Sequence, residues 1–322
     1  MEEESEISSE LLPFVRIYKS GHIERISGTE IIPTSLDPTN DVVSKDVLYS
    51  PEHNLSVRLF LPSKKSISSG NNNNKLPLLI YIHGGAWIIE SPFSPIYHNY
   101  LTEVVKSANC LAVSIQYRRA PENPIPAAYE DSWSAIQWIF SHSDRSGEED
   151  WINEYADFDR VFLAGDSAGA NMSHHMAMRA GKEKLDLRFK GIAIVHPAFW
   201  GRDPVDEHDV QDREIRNGIA EVWERVASPY SVNGTDDPLF NVNGSGSDFS
   251  GLGCEKVLVA VAGKDVFVRQ GLGYAAKLKR SDWGGEVEVV VEEDEGHVFY
   301  LQNPNSEKAL KFFKKFVEFI TC

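Results

Sequence analysis

Hydrophobic positions in this chain fall into short, nearly continuous runs separated by amphipathic spacers. Leu76 to Ile82, Cys110 to Gln116, Arg160 to Ala164, Phe189 to Val195, Lys256 to Ala262 and Glu286 to Val291 lack clean alternation, as strands covered on both faces do. Two earlier runs, Val42 to Tyr49 and Leu55 to Leu61, also read as strands. In the second, Val57, Leu59 and Leu61 alternate with Arg58 and Phe60, the pattern of a half-buried strand. The spacers Ala127 to Phe140, Ser167 to Ala180 and Val268 to Lys279 are long enough for helices. Strand and helix alternating in this way predict an α/β fold, a mostly parallel eight-stranded sheet with helices on both faces. From Ser306 to Ile320, Ala309, Leu310, Phe313, Phe316, Val317 and Ile320 recur at three- and four-residue steps, so a last helix should lie against the sheet. Glu2 to Ile32 is mixed and reads as a peripheral arm. Ser66 to Asn74 is too polar to pack and reads as an exposed loop. No repeat is visible and the strands span the whole chain, so residues 1–322 are expected to form one domain.

Charge narrows the partners. Lys and Arg number 32 against 48 Asp and Glu, a formal net charge of -16. Phosphate backbones and anionic membranes are repelled by such a chain. Cys110, Cys254 and Cys322 are too few and too scattered for a disulfide framework or a zinc site. No apolar run reaches membrane-spanning length, and the start, Met1 to Glu6, is acidic where a secretory or transit peptide is basic. The expectation is a cytoplasmic protein that binds neither nucleic acid nor membrane. Oligomeric state is left open.

The chemistry concentrates where strands end. The apolar run Val161 to Ala164 enters Gly165-Asp166-Ser167-Ala168-Gly169, a G-x-S-x-G turn that lifts the serine hydroxyl out of the sheet and demands small neighbours. A serine hydroxyl is a weak nucleophile until an imidazole takes its proton, and the imidazole needs an acid to orient it. Two later strand ends supply both, Asp265 in Gly263-Lys264-Asp265 and His297 in Asp294-Glu295-Gly296-His297. After the strand Leu76 to Ile82 stands His83-Gly84-Gly85-Ala86-Trp87, whose paired glycines let backbone N–H groups converge on one point. Gly84, Gly85 and Ala168 are the expected donors to a developing oxyanion. His83, Ala86 and Trp87 support the loop, with Ala86 expected to face away. Asp166 is expected to point away from the mouth and hold the turn. The acidic residues Asp203, Asp206, Glu207, Asp209 and Asp212 read as a solvated surface rather than a metal cluster.

Four linked motifs carry a family resemblance: His83-Gly84-Gly85-Ala86-Trp87, Gln116 to Glu122, Pro126 to Asp131, and Gly165 to Asn171. Together they resemble the hormone-sensitive-lipase-like branch of the α/β-hydrolases, and most closely the plant carboxylesterases, from about Pro13 to Phe319. The resemblance implies a helical cap over the sheet, built from about residues 1–40 and an insertion at about 199–230. Trp200, Val222 and Trp223 would line its acyl pocket. It also implies a serine carboxylesterase acting on small-molecule esters without metal or cofactor. Two departures stand out: Ala86 replaces a third glycine, and Arg119 replaces a usual leucine. Plant relatives on the same scaffold include hydroxyisoflavanone dehydratases and gibberellin receptors. A lyase or a hormone receptor is therefore the alternative, the receptor weakened by the retained His297.

Overall fold

The computed structural model describes residues 6–37, 39–63, 75–183 and 188–322. The polar tract expected as an exposed loop, Ser66 to Asn74, lies outside them. The N-terminal arm departs from its expectation by folding into an antiparallel sheet, β1 (Ile7–Leu11), β2 (Val15–Tyr18) and β3 (Ile23–Arg25). Val15 anchors it, fully buried among Ile88, Ile89, Ala120 and Val226. Its burial is worth about 2 kcal/mol, and Leu11, Phe14 and Ile23 packed against the same cluster add to what offsets the entropy of ordering the arm.

The eight expected strands form one sheet. They are β4 (Val42–Ser50), β5 (Leu55–Pro62), β6 (Leu76–Ile82), β7 (Leu111–Ile115), β8 (Ala156–Asp166), β9 (Phe189–Val195), β10 (Cys254–Ala262) and β11 (Glu286–Glu292). Their order is β11-β10-β9-β8-β6-β7-β5-β4. The pairs β4–β5 and β5–β7 are antiparallel and the rest parallel. Side chains alternate between two cores. Leu78, Ile80, Leu163 and Ile192 face one layer, while Leu79, Tyr81, Phe162 and Ala193 face the other. The first layer is covered by α2 (Ala127–Phe140), α4 (Ala168–Glu183) and α6 (Val268–Arg280), and the second by α1 (Pro95–Ala108) and α8 (Glu307–Thr321). The remaining helices are the short α3 (Asp150–Tyr155), α5 (Arg213–Glu221), which runs into a π-helical turn at Val222–Ala227, and α7 (Phe299–Gln302).

One strand breaks the half-buried pattern. In β5 both Arg58 and Phe60 are buried, at 2% and 0% exposure. The N-terminal arm and α1 cover that side. Arg58 donates to both carboxylate oxygens of Asp46 at 2.7 and 2.9 Å and to the Ile32 carbonyl at 2.7 Å. A guanidinium that spends its donors on a bidentate partner and a carbonyl can be buried.

This topology gathers the candidate residues. From β6 the chain moves to β7 on one side and then to β8 on the other, so a switch point opens between β6 and β8, where open sheets form their clefts. The loops after β6, β8, β10 and β11 all leave from that carboxyl edge.

Candidate active site

Ser167 sits on the tight turn between β8 and α4, with φ at +53° and its N–H donating to the Val195 carbonyl at 2.9 Å. Left-handed backbone is uncommon outside glycine and is held here by close packing. A Cβ on Gly169 would stand 1.9 Å from the Ile82 carbonyl oxygen, so only glycine lets α4 approach β6 this closely. Ser167 Oγ lies 2.9 Å from His297 Nε2. His297 Nδ1 lies 2.6 Å from Asp265 Oδ2, and the other carboxylate oxygen accepts the Phe267 N–H at 3.0 Å. An ionised carboxylate accepts only, so the imidazole proton sits on Nδ1 and the Nε2 lone pair faces the serine hydroxyl. The Asp265 side chain is 1% exposed and that of His297 32%. The acid and base loops are tied directly, Lys264 N–H donating to the Glu295 carbonyl at 2.9 Å.

The glycine loop corrects one expectation. Gly84 does not offer its N–H to the cleft: it donates to the Tyr97 hydroxyl at 2.9 Å and Asp166 Oδ1 at 3.2 Å. Beyond it, Gly85, Ala86 and Trp87 all take positive φ, at +96°, +55° and +62°, and the Gly85 carbonyl accepts from both Ile88 and Ile89. Among the described residues none accepts the N–H groups of Gly85 and Ala86, and both border the same cavity as Ser167. Ala86 therefore does not face away. Ala168 opens α4, so no preceding turn accepts its N–H. A Cβ on Gly85 would meet the Ile89 carbonyl oxygen at 2.3 Å. Gly85→Ala should displace the loop and lower kcat by about 100- to 1,000-fold, the usual cost of a lost oxyanion donor. Steady-state kinetics, on a variant shown to be folded by circular dichroism at the assay temperature, checks this.

Asp166 turns inward as expected, but it holds more than the turn. Tyr81 and Tyr97 hydroxyls donate to it at 2.9 Å each, and Gly84 makes it a brace for the glycine loop. Burial raises its pKa to about 6, against the lowering pull of the two tyrosines. His83 is fully buried and stacks on Tyr117 with ring centroids 4.3 Å apart. Its Nδ1–H donates to the Gly84 carbonyl at 2.8 Å. Burial lowers the pKa of His83 and of His196 to about 3, and that of His174 well below its ordinary value.

These shifts set the acid limit of stability. A histidine depressed when folded stabilises the fold only while the unfolded chain also stays neutral, so the benefit is lost as pH falls below about 6.5. His83 and His196 each lose about 2 kcal/mol by pH 5, and His174 adds to this. Asp166 has the opposite sign, returning about 1 kcal/mol as it protonates below pH 6. Over these groups the expectation is a loss of about 3 kcal/mol or more between pH 7.5 and 5, and His175, its pKa lowered to about 4 by burial, adds to it. Urea unfolding midpoints at the two pH values measure it.

Over the triad lies a cavity of about 840 Å3. Leu11, Leu12 and Phe14 of the N-terminal sheet form one wall, and Ile215, Ile219 and Val222 from α5 and the π-turn another. Trp200 and Trp223, expected in the lining, stand behind it. Trp223 is fully buried, stacked on Phe240 at 4.4 Å, and Trp200 packs edge-on against Phe267. The acidic run beyond β9 has local duties. Asp206 pairs with Arg269, Asp209 accepts from Val205 and Gln270, and Asp212 caps α5.

Sequence reading passed over His196. Among the described residues, His196, Asp265 and His297 are the one trio close enough to share a metal ion. His297 spends both nitrogens on Asp265 and Ser167, and His196 Nδ1 accepts the Val298 N–H at 2.8 Å. Hydrogen bonds account for the grouping. The signal for His196 was its position, the first residue beyond a strand adjoining the elbow strand.

Residues 79–301 match the family described as alpha/beta hydrolase fold. The chain is 78% identical over 319 residues to a protein of Arabidopsis thaliana named probable carboxylesterase 5, covering 98% of this chain and 99% of that one. It is 76% identical to another from Arabidopsis thaliana, probable carboxylesterase 4, mitochondrial, covering 98% and 84%. Among solved structures, a hyperthermophilic esterase from the archaeon Pyrobaculum calidifontis superposes with a TM-score of 0.69 at 21% identity, covering 86% of this chain and 85% of that one.

Proposed function

The chain belongs to the α/β-hydrolases, as a serine carboxylesterase of the plant, hormone-sensitive-lipase-like branch, and from that premise we propose how its residues divide the work. Ser167 is the nucleophile, His297 the general base and then acid, and Asp265 the orienting carboxylate. The observation that carries this reading is the unbroken chain Ser167 Oγ–His297 Nε2 at 2.9 Å and His297 Nδ1–Asp265 Oδ2 at 2.6 Å. His297 takes the hydroxyl proton as Ser167 Oγ bonds to the ester carbonyl carbon. The resulting oxyanion is held by the N–H groups of Gly85, Ala86 and Ala168. Collapse expels the alkoxide, which leaves as alcohol with the proton from His297. Water then repeats the sequence on the acyl-serine and releases the acid.

The substrates are small-molecule esters. The apolar walls of the cavity favour uncharged acyl and alcohol groups. We read β1–β3 and α5 with its π-turn as the cap of a single domain spanning residues 1–322. Among the described residues no helix is long and apolar enough to cross a membrane. The cytoplasm is our proposed location, to be set against the relative named as mitochondrial and tested with a fluorescent fusion to the full chain.

The relatives' names favour esterase over lyase or receptor. The test is a panel of p-nitrophenyl esters of rising acyl length, with a hydroxyisoflavanone alongside, assayed on wild type and Ser167→Ala. A burst of nitrophenol equal to the enzyme present supports the reading. Efficient elimination from the hydroxyisoflavanone without a burst favours the lyase.

A further inference from the structure

We infer that His196 is a positioning residue: through its imidazole and the backbone around it, it locks the three loops carrying Ser167, Asp265 and His297 into one register. The inference rests on the triad reading above and extends it to a residue outside the triad.

The backbone around His196 touches each loop in turn. The Val195 carbonyl accepts the Ser167 N–H at 2.9 Å, and the Ala198 N–H donates to the Ser167 carbonyl at 3.1 Å. The His196 N–H donates to the Ala260 carbonyl at 2.8 Å, near the end of the strand that delivers Asp265. The side chain makes the third tie, Nδ1 accepting the Val298 N–H at 2.8 Å. A backbone N–H can only donate, so Nδ1 is unprotonated, in keeping with burial that holds this ring neutral.

That third tie is where position matters most. Val298 adjoins His297 and stands at φ +48° and ψ +33°. For a β-branched residue this left-handed backbone is a genuine outlier, and it persists only where its surroundings over-determine it. His196 is itself at φ +45° and 1% exposed. Its ring is packed against Phe299 and Tyr300 at centroid distances of 5.7 and 5.8 Å. A rigid acceptor thus meets a strained donor next to the base. Without it, Val298 relaxes toward ordinary backbone and swings His297 away from Ser167. A displacement of about 1 Å is worth about 100-fold in rate.

The test uses two side chains of one shape. Asn carries an oxygen as many bonds from the backbone as Nδ1 is, and Leu replaces that oxygen with a methyl. We expect His196→Asn to keep kcat within about 5-fold of wild type. We expect His196→Leu to lose about 30- to 100-fold in kcat with KM changed less than 3-fold. Because Leu also strains the left-handed position at 196, the double variant with Val298→Gly is the control. Glycine holds φ +48° without a tie, so it should return at least 10-fold of the lost kcat, whereas strain at 196 would be untouched. His196→Phe, which keeps the ring and loses the acceptor, takes the place of His196→Leu if that variant does not fold. Leu or Phe equal to or better than Asn, or no rescue by Val298→Gly, overturns the inference. Ser167→Ala run in parallel separates the two levels. Activity surviving there refutes the triad reading, while an inactive Ser167→Ala beside a fully active His196→Leu refutes only the role of His196.

Discussion

Ser167→Ala is expected to lower kcat for a p-nitrophenyl ester by about six decades, or about 8 kcal/mol of transition-state stabilisation. The magnitude follows from how the triad works. His297 Nε2 points at Ser167 Oγ from 2.9 Å, and without that oxygen no acyl-enzyme forms and the base has nothing to activate. The glycine loop and cavity remain, so KM should move little, and some rate over water should persist from the oxyanion donors alone. Ser167 is 8% exposed, and removing one hydroxyl oxygen leaves the fold intact, so unfolding temperature should stay within a few degrees. A variant that kept a tenth of wild-type activity would place the nucleophile elsewhere.

Asp265→Asn should be the second largest effect, about four decades in kcat. Asp265 divides its oxygens, one accepting the Phe267 N–H at 3.0 Å and the other facing His297 Nδ1 at 2.6 Å. An amide in its place must give its oxygen to the Phe267 N–H, which has no other acceptor among the described residues, and so turns its NH2 toward Nδ1. Two donors cannot face each other, so the imidazole proton moves to Nε2 and points at the serine. The base then has no lone pair where it needs one. Packing is nearly unchanged, so the defect should be in kcat with the protein as stable as wild type. A loss below about 10-fold would mean that Asp265 does not set the tautomer.

Much of this was legible in the sequence, and the exceptions have physical causes. The inner strands declared themselves because both faces are covered, which makes their apolar runs continuous. The strands β1 to β3 did not, since each is five residues or fewer and mostly half-exposed, stabilised by contacts far along the chain. Helix α1 buries Tyr97, Leu101, Val104, Val105 and Ala108 at helical spacing, a pattern that tyrosines and neighbouring polar residues disguise. Arg58 looked outward because alternation says nothing about what covers a face.

The site divides in the same way. Ser167, Asp265 and His297 could be nominated because each follows an apolar strand, and the structure brings them within bonding distance of one another. The glycine pair could be nominated too, but which N–H groups remain free depends on Tyr97 and Asp166, which reach Gly84 from another helix and another strand. His196 was hidden for a related reason. Its role depends on the unusual backbone of Val298, more than a hundred residues later, and no spacing rule encodes that.

The central claim is a covalent acyl-serine at Ser167, and the most direct measurement is intact-protein mass spectrometry after acid quench of a short reaction with a slowly deacylating ester, followed by peptide mapping. One acyl increment per chain is expected, carried by the peptide containing Ser167, forming as alcohol is released and absent from Ser167→Ala. Turnover with no increment, or an increment on another residue, would contradict it.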